Sequence, residues 1–415
     1  MSRRHPDDTF ELTLDAMAHG GSAVGHAQGR PVFVPYAIPG ERILARIVDD
    51  RGRYALAQGV TLLTPSPWRV RPRCPHFGPG RCGGCAFQHI AYEAQPDFKR
   101  DVVIDQLRRV GGFRNPVVHP TVPSPEAWGY RLSTTFYIDD AGRLCYPGTD
   151  GQTLIPIEEC HIIRPELMEL FEELALDEIP ELERVRLHAS SEGAPMIVLS
   201  TRDDEAPELE VDRPVSINFL LSDNEPVNLI GSSHVLYRVH GRRFRVTAGA
   251  FFHANLPQIE RVIDLVLERL NLSGNETVLD LYAGVGTLTA FLAERASLVT
   301  AIESYPPAVT DADENLADFE NVDLIEGSVE AVLPALAEQY DAAVLDPPPS
   351  GVDGRALDAL AAAGPRTLVY ISADPATLAR DAKRLTQKGY RLIDVQPVDM
   401  LPQTAFIQCV AHFAR

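Results

Sequence analysis

Four of the six cysteines in this sequence of 415 residues follow a pattern that could bind a metal centre. Cys74, Cys82 and Cys85 form C-x7-C-x2-C in CPHFGPGRCGGC, and Cys160 follows in IPIEECHII. Clustered thiolates of this kind bind either an iron–sulfur cluster or a structural zinc ion. The Gly83–Gly84 pair leaves room for the loop to wrap a bulky centre, which suits a four-iron cluster. Zinc remains the alternative, because four thiolates suit it equally well by ligand type.

Disulfide bonds between these cysteines are not expected. The N-terminal MSRRHPDDTF has no apolar core after its arginines, and no apolar run approaches the ~20 residues of a membrane span. We therefore expect a cytoplasmic protein without a membrane partner, in which thiols stay reduced. Cys145 and Cys409 lack cysteine neighbours in the sequence, and we interpret them as ordinary semi-buried thiols.

A second pattern, DLYAGVGTLT, is a glycine-rich turn between an apolar strand and a helix. Gly284 and Gly286 would let a ligand lie against the backbone at the end of the strand. A dinucleotide-binding fold would place a third glycine where this sequence has Thr289. The turn therefore predicts a nucleoside ligand without a pyrophosphate.

Three carboxylates follow the ends of predicted strands. Asp280 precedes the glycines, Glu303 ends the next strand, and Asp346 opens DPPPSG after the fourth strand. Carboxylates at such places can hold the ribose hydroxyls and the ammonium group of S-adenosylmethionine, which is a cation. Any one of these acids could simply be a helix N-cap. Together with the glycine turn they predict an S-adenosylmethionine-dependent methyltransferase.

The elements that would position these residues divide into three parts, so the predicted fold class is multidomain α/β. Residues 8–66 contain short alternating strands separated by glycine turns, which predicts a small OB-like β-barrel. Residues 67–257 hold the cysteine loop, one amphipathic helix and a β-rich region. In residues 258–415 helices alternate with single apolar strands, which predicts a Rossmann-like, mainly parallel and doubly wound sheet.

The charge of the chain is uneven. The net charge is −20 at pH 7, yet residues 51–115 hold eleven Lys and Arg against four Asp and Glu. A basic segment on an acidic protein is a possible footprint for a nucleic acid, although a solvated basic face is equally compatible with it. We expect Arg69, Arg71, Arg73 and Arg81 to contact RNA phosphates.

The sequence resembles the bacterial RNA uridine-5 methyltransferases, the family that makes 5-methyluridine in ribosomal and transfer RNA. The resemblance covers nearly the whole chain, and its motifs follow the family order. The matching segments are AHGGSAVGHAQGRPVFVPYAIPGE, the four cysteines, WGYR (128–131), AGAFFHAN (248–255), DLYAGVGTLT, DPPPSG, VYISADPATLARD and VDMLPQT.

The resemblance implies a TRAM barrel that holds RNA, a [4Fe-4S] cluster on the four cysteines, and a class I methyltransferase domain. It assigns further contacts with S-adenosylmethionine to Tyr282 and Thr287. It also aligns His253 with a cofactor-contacting Gln of the family, and Ser328 with a Gly-Asp pair. The expected partner is ribosomal or transfer RNA rather than DNA, and we expect a monomer.

The resemblance also exposes two missing reactive groups. The family adds a cysteine thiolate to carbon 6 of uracil, and a glutamate then removes the proton from carbon 5. Here the nucleophile position is Ala373, in SADP, and the base position is Gln408. Further departures from the family pattern are Leu132, Ser133, Pro349 and Phe406. We therefore predict that this chain does not make 5-methyluridine.

Neighbouring residues do not replace the lost groups. Strand alternation turns Ser372 and Cys409 away from the two reactive positions, and an alkoxide forms far less readily than a thiolate. Three functions remain open: an RNA methyltransferase with altered chemistry, a catalytically inactive RNA-binding descendant that assists ribosome or tRNA assembly, and an iron–sulfur oxidoreductase. The incomplete glycine fingerprint disfavours the third.

Overall fold

The computed structural model describes residues 9–174, 179, 181–209 and 211–415. The N-terminal segment 1–8, on which the absence of a secretion signal was predicted, lies outside the described residues. Within the described part, the helices are too short or too polar to cross a membrane.

The first part of the chain is a closed five-stranded barrel with the strand order β1-β2-β3-β5-β4. In β1, Phe10, Leu12 and Leu14 alternate with exposed residues and point into the barrel core. This period of two is why the sequence pattern predicts strands here. The strands are β1 (Thr9–Met17), β2 (Ala23–Ala27), β3 (Arg30–Val34), β4 (Arg42–Asp50) and β5 (Ala55–Thr64).

The helix that follows the cysteine loop, α1 (Gln95–Arg109), joins a different core from the one its place in the sequence indicates. The sequence groups it with the β-rich region, but Val103 and Leu107 are fully buried in one hydrophobic cluster with Leu378 and Ala382 of the C-terminal part. Amphipathic periodicity predicts that a helix buries one face, but it does not predict against which partner.

The middle part is a seven-stranded sheet with the order β12-β11-β10-β9-β6-β7-β8 and a separate hairpin of β13 and β14. Its strands pair antiparallel except β10 with β11. The elements are β6 (Ser133–Ile138), β7 (Leu144–Pro147), β8 (Leu154–Pro156), α2 (Pro165–Glu173), β9 (Leu182–His188), β10 (Met196–Thr201), β11 (Ser216–Leu220), β12 (Pro226–Ile230), β13 (His234–Val239) and β14 (Arg242–Thr247).

The C-terminal part is a doubly wound sheet with the order β17-β16-β15-β18-β19-β21-β20. Only β21 is reversed: it pairs antiparallel with both β19 and β20. The elements are α3 (Leu256–Leu270), β15 (Thr277–Leu281), α4 (Thr287–Ala293), β16 (Leu298–Glu303), α5 (Pro306–Asn315), β17 (Val322–Glu326), α6 (Val329–Val332), β18 (Ala342–Leu345), α7 (Gly354–Ala363), β19 (Thr367–Ser372), α8 (Pro375–Gln387), β20 (Arg391–Val398) and β21 (Gln408–Ala414). The sequence-based boundary between residues 257 and 258 falls inside the first turn of α3.

The predicted fold class is confirmed: a β-barrel, a β-rich middle region and a Rossmann-like sheet follow one another along the chain. In the last of these, β15 pairs in parallel with β16 and β18, and β18 pairs in parallel with β19. Their carboxyl ends therefore meet at one edge of the sheet. This is the edge at which open α/β sheets bind their ligands.

Candidate active site

The glycine turn leaves β15 through left-handed backbone. Tyr282, Gly284 and Gly286 have φ angles of 65°, 58° and 79°. A side chain on Gly286 would place its Cβ 2.9 Å from the Leu316 side chain, whereas Gly284 has open space on that side. Gly286 thus allows close packing inside the fold, and Gly284 leaves room for a ligand against the backbone.

Glu303, at the end of β16, is fixed beside this turn. Its Oε2 accepts a hydrogen bond from the Gly284 amide at 2.9 Å. Its Oε1 accepts from the amides of Ser304 at 2.7 Å and Tyr305 at 2.8 Å. A carboxylate has about four acceptor positions, so Glu303 keeps capacity for one more donor, such as a ribose hydroxyl.

Asp280 is a fully buried carboxyl group with one unsatisfied oxygen. Its Oδ2 accepts from Thr289 Oγ1 at 2.6 Å, while its Oδ1 has no hydrogen-bond partner among the described residues. Burial raises the pKa of Asp280 to about 7; the Thr289 hydrogen bond opposes this rise, and the charges of Asp346 and Glu303 add to it. A cationic ligand would relieve both the orphaned oxygen and the mutual repulsion of these acids. The carboxylates at this edge therefore fit the positively charged S-adenosylmethionine.

The remaining predicted cofactor contacts lie around the same edge. The Tyr282 hydroxyl donates to Glu330 Oε1 at 2.8 Å, and burial followed by this contact raises the pKa of Tyr282. Thr287 is the first residue of α4. Ser328 immediately precedes α6, next to Gly327, whose amide donates to the Glu303 carbonyl oxygen at 2.8 Å.

His253 and Asp346 form a pair that the sequence did not predict. Each was assigned a separate role toward the cofactor, but His253 Nε2 lies 2.9 Å from Asp346 Oδ2. Both side chains are largely buried, with 13% and 16% of their surfaces exposed. The two residues are 93 positions apart, so no local pattern connects them.

Ala373 lines a cavity of about 320 Å³ at the end of β19. The barrel contributes His19 and Gly20, the cysteine loop Gly84, and the segment before β21 Phe406. Three distant parts of the chain therefore enclose Ala373, the predicted nucleophile position.

Asp374, next to Ala373, is a functional candidate that the sequence pattern did not indicate. Its Oδ1 caps α8 by accepting from the amides of Ala376 and Thr377, and its Oδ2 lies 3.1 Å from His19 Nε2. Burial raises the pKa of Asp374, but the hydrogen bonds from His19 and the capping amides outweigh burial, so the net pKa is lowered. The capping role was readable from the D-P motif, whereas the partner on the barrel was not.

The predicted base position and the thiols outside the cysteine loop do not supply a reactive group to this cavity. Gln408 is buried, and its Nε2 has no partner among the described residues. Ser372 pairs with Cys409 across β19 and β21, its Oγ donates to the Asp374 carbonyl oxygen at 2.9 Å, and Cys409 is fully buried in the hydrophobic core. Cys145 lies on β7 in the middle sheet, and burial raises the pKa of its thiol to about 11.

The four cysteines of the predicted cluster meet around one cavity of about 240 Å³. Cys74, Cys82 and Cys85 come from the loop before α1, and Cys160 comes from the loop after β8. The loop is tight, since a Cβ on Gly83 would lie 2.8 Å from the Gly148 carbonyl oxygen.

The groups in this cavity that could bind a metal are the four thiols. Among the described residues, no three His, Cys, Asp or Glu side chains converge closely enough to hold a metal ion. An iron–sulfur cluster and a zinc ion would both use four thiolate ligands of this kind. Burial raises the pKa of the Cys74 thiol to about 11 and that of Cys85 to about 12. Any metal centre would therefore have to displace protons on binding.

The four predicted phosphate contacts differ in their surroundings. Arg69 is held by the fold, because its Nε lies 2.5 Å from Oε1 of the buried Glu41. The guanidinium of Arg73 lies over the Trp128 ring, 5.5 Å from its centroid. Arg71 and Arg81 are exposed, although Arg81 also donates to the Pro75 carbonyl oxygen. The ion pair with Glu41 thus accounts for Arg69, and Arg69 is not available for a phosphate as an exposed arginine would be.

Comparisons with known proteins agree with this geometry. A family model described as tRNA (uracil-5-)-methyltransferase matches residues 234–415. The chain is 33% identical to an RNA methyltransferase of Halalkalibacterium halodurans, over 98% of this chain and 96% of the relative. It is 32% identical to an RNA methyltransferase of Streptomyces avermitilis, over 97% of this chain and 98% of the relative.

A solved structure shares the fold along nearly the whole chain. It is the tRNA (uracil-54, C5)-methyltransferase of Pyrococcus abyssi in complex with S-adenosyl-L-homocysteine. The TM-score is 0.74 at 24% identity, covering 97% of this chain and 99% of that one. With the family model and the full-length relatives, the conclusion is that this chain belongs to the S-adenosylmethionine-dependent RNA methyltransferase family represented by the tRNA (uracil-5-)-methyltransferases.

Proposed function

We propose that this protein binds S-adenosylmethionine and RNA but does not convert uridine to 5-methyluridine. The observation that carries the proposal is the cavity at Ala373. Among the described residues that line it, none is a cysteine or a glutamate. The enclosure for a target nucleotide is retained, while both groups that carbon-5 methylation uses are replaced.

The chemical reason is the weak nucleophilicity of carbon 5 of uracil. A thiolate must first add to carbon 6 to make the ring an enolate, and the methyl side chain of Ala373 cannot do this. A base must then take the proton from carbon 5, and the amide of Gln408 has no basic lone pair for it. The neighbouring Ser372 and Cys409 are directed into hydrogen bonds or the core. The Asp374 carboxylate, which lines the cavity, is held by the capping amides of α8 and by His19.

The cofactor edge supports binding of S-adenosylmethionine, which would supply an electrophilic methyl group when bound. Glu303 would hold the ribose hydroxyls, because it keeps an acceptor position beside the glycine turn. Asp280 would hold positive charge, because its unsatisfied oxygen is buried there. Tyr282, Thr287 and Ser328 would line the adenosine from the surrounding loops. Asp346 would stand between the cofactor and the target base.

The RNA partner is supported by the names of the relatives and by exposed aromatic side chains. Phe251 and Phe406 are large aromatic side chains that are 70% and 60% exposed, which suits stacking on unpaired bases. Arg71 and Arg73 lie between the barrel and the cysteine loop, and Arg81 lies within that loop; all three would contact phosphates. We propose that the barrel, residues 8–66, holds the RNA and that the target nucleotide is flipped out of its stack.

A [4Fe-4S] cluster on Cys74, Cys82, Cys85 and Cys160 is part of this proposal. The four thiols surround one space of about 240 Å³, and four thiolates are the ligands that such a cluster takes. The loop around this space is bonded to the middle sheet, since the Gly83 amide donates to the Pro147 carbonyl oxygen at 2.9 Å. The cluster would therefore join the cysteine loop to the middle part of the chain.

Nucleoside mass spectrometry tests the proposal. Purified protein is incubated with S-adenosylmethionine and unmodified transcripts of tRNA and ribosomal RNA, and the RNA is digested to nucleosides. We expect no 5-methyluridine above the level of a reaction without protein. Robust formation of that nucleoside would refute the proposal.

The second candidate is an RNA-binding descendant without any methyl transfer, supported by the same two replacements. Isothermal titration with S-adenosylmethionine and S-adenosylhomocysteine separates the candidates. Binding of both ligands favours an enzyme with altered chemistry, whereas absence of binding favours a scaffold for RNA assembly.

A further inference from the structure

We propose that His253 and Asp346 form a proton-accepting pair with which this site methylates a ring nitrogen that carries a proton, in place of carbon 5. The inference rests on the proposed function, and it specifies the target atom that the altered site would accept.

The pair has the geometry of a base held by a carboxylate. His253 Nε2 lies 2.9 Å from Asp346 Oδ2. Because an ionised carboxylate only accepts hydrogen bonds, a neutral His253 carries its proton on Nε2. Its Nδ1 then has a free lone pair, because the hydrogen bond of this ring to Asp346 uses Nε2. Asp346 thus orients the ring and would stabilise the imidazolium that forms, as the carboxylate of a catalytic triad does.

The pair lies at the cofactor edge of the sheet. Asp346 follows β18, and its amide donates to the carbonyl oxygen of Leu281 at 3.2 Å, directly before the glycine turn. Its charge also raises the pKa of Asp280, so the two carboxyl groups are neighbours. His253 therefore borders the place where the methyl group would be delivered.

An aromatic ring beside the pair is suited to hold a nucleobase. Phe251 is 70% exposed, and its ring meets the His253 ring edge to face with centroids 5.2 Å apart. A large exposed ring next to a polar group offers a stacking surface for an unpaired base. A base stacked there would present its edge toward His253.

The segment that carries His253 is rigidly held. Asn255 is fully buried and donates to Ser124 Oγ at 3.2 Å and to the Met400 carbonyl oxygen at 3.1 Å. The Leu132 amide donates to the Ala254 carbonyl oxygen at 2.9 Å. A catalytic group on such a segment stays oriented without the substrate.

The methyl transfer balances without a covalent protein intermediate. His253 Nδ1 takes the proton of the ring N–H, and the electron pair of that bond stays on the ring nitrogen. This nitrogen forms a bond to the methyl carbon of S-adenosylmethionine. The bond between methyl and sulfur breaks, and its electron pair stays on sulfur, which leaves S-adenosylhomocysteine. The proton remains on His253 beside Asp346 until it is released to water.

The target class follows from this proton transfer. A lactam or imide N–H, such as N3 of uracil or N1 of guanine, becomes a delocalised anion once its proton is removed. Such an anion attacks a methyl sulfonium directly and needs no cysteine at Ala373. Carbon 5 of uracil would still need both missing groups, so His253 alone cannot restore that reaction.

The test measures methylated nucleosides and separates the inference from the proposed function. Wild-type protein is incubated with S-adenosylmethionine and a mixture of unmodified tRNA and ribosomal RNA transcripts, and products are identified by mass spectrometry. We expect a nucleoside methylated on a ring nitrogen. In His253→Gln, whose amide can still donate to Asp346, we expect kcat to fall about 100-fold or more. Binding of S-adenosylhomocysteine by this variant should stay within about twofold by titration, because the resemblance places a cofactor-contacting Gln at this position, whereas the proton acceptor is lost. His119→Gln, on an exposed histidine, is the matched control.

Asp346 acts through His253 and is a positioning residue. In Asp346→Asn we expect a fall in kcat with little change in KM for RNA. Nitrogen-15 NMR of histidine-labelled protein gives a readout without turnover: the His253 signal, identified by its loss in His253→Gln, should show the Nε2–H tautomer at neutral pH.

Each outcome decides between the ideas. Formation of 5-methyluridine overturns both the proposed function and this inference. Three other outcomes overturn only the proposed role of the His253–Asp346 pair. They are ring-nitrogen methylation at the wild-type rate in His253→Gln, a proton on Nδ1 of His253 in the free protein, and no methylated nucleoside although the cofactor binds.

Discussion

Lys99 and Asp399 are 300 positions apart in the chain, yet Lys99 Nζ lies 2.5 Å from Asp399 Oδ1 and both side chains are fully buried. Lys99 also donates to the Leu401 carbonyl oxygen at 3.1 Å. Two residues after Leu401, Gln403 exchanges hydrogen bonds with Gln95, which lies on the same helix as Lys99. These contacts fix the loop between β20 and β21, which carries part of the wall of the Ala373 cavity.

Breaking this pair should destabilise the fold strongly. In Lys99→Met, Asp399 would be left as an uncompensated buried charge, and we expect the free energy of unfolding to fall by roughly 3–5 kcal/mol. The double variant Lys99→Met/Asp399→Leu should recover most of this loss, because neither charge remains. Urea unfolding checks both, with the exposed Arg109→Met as control. A double variant as unstable as the single one would contradict the explanation.

Returning a thiol to the cavity should restore the covalent step. We expect Ala373→Cys to form an adduct with RNA that contains 5-fluorouridine, because fluorine replaces the proton that must leave carbon 5. The adduct is detected as a shifted band on a denaturing gel, and wild-type protein should give none. Ser372→Cys is the matched control, since Ser372 is bonded to the Asp374 carbonyl and pairs with the core residue Cys409. Equal adduct yields from both variants would show that the cavity does not select position 373.

The cysteine cavity predicts an oxygen-sensitive colour. Protein prepared without oxygen should be brown and contain iron, and Cys82→Ser should lose both, because one of the four thiols around the cavity is removed. Cys145→Ser should keep both, since Cys145 lies on β7 outside this cavity. A colourless wild-type protein that contains zinc would show that the cluster assignment is wrong.

Asp280 should link cofactor binding to pH. Its pKa of about 7 lies above the ordinary value, so its stabilising contribution is present below about pH 4 and is lost as the pH rises through 7. In Asp280→Asn we expect the free energy of unfolding at pH 8 to be roughly 2–4 kcal/mol higher than in wild type. Affinity for S-adenosylmethionine should fall about tenfold, because a charge facing the cation is removed.

Urea unfolding at pH 5 and pH 8, together with isothermal titration, checks this prediction. Asp323→Asn, on an exposed part of β17, serves as control and should change neither quantity. Equal stability of Asp280→Asn and wild type at pH 8 would mean that Asp280 is not strained by burial.

His188 should make the protein sensitive to acid. Burial, followed by the charge of Arg186, lowers the pKa of His188 to about 3. Its stabilising contribution is therefore present above about pH 6.5 and is lost as the pH falls toward 3, at about 1.4 kcal/mol per pH unit. His188→Gln should make the free energy of unfolding less dependent on pH between 6 and 4. The exposed His26→Gln should keep the wild-type dependence.

Much of the architecture was predictable because it depends on local patterns. Period-two alternation in Phe10, Leu12 and Leu14 predicts a barrel strand, and the glycine turn with Asp280 and Glu303 predicts a ligand edge at strand ends. The assembly of Cys160 with the three loop cysteines also followed from their residue types. In each case the prediction depends on a short stretch of sequence or on a residue type that serves few other functions.

Pairings between distant segments were not predictable. Thr289 was interpreted only as a missing glycine, but it holds Asp280 through a hydrogen bond. The sequence placed His253 and Asp346 at the cofactor separately, and it gave no sign of His19 reaching Asp374 from the barrel. Hydrogen bonds of this kind depend on the relative positions of packed elements, which no periodicity encodes.

The sequence by itself determined the fold class and the ligand edge, because each is a property of residue types at known places in a strand–turn–helix pattern. The absence of a reactive cysteine at Ala373 and of a glutamate at Gln408 is a prediction that the family resemblance implies. Only the tertiary structure decided which core α1 joins, which arginine is held by an ion pair, and which carboxylate orients His253. Those outcomes depend on side chains meeting across hundreds of positions, where distance and burial set the energy and chain order does not.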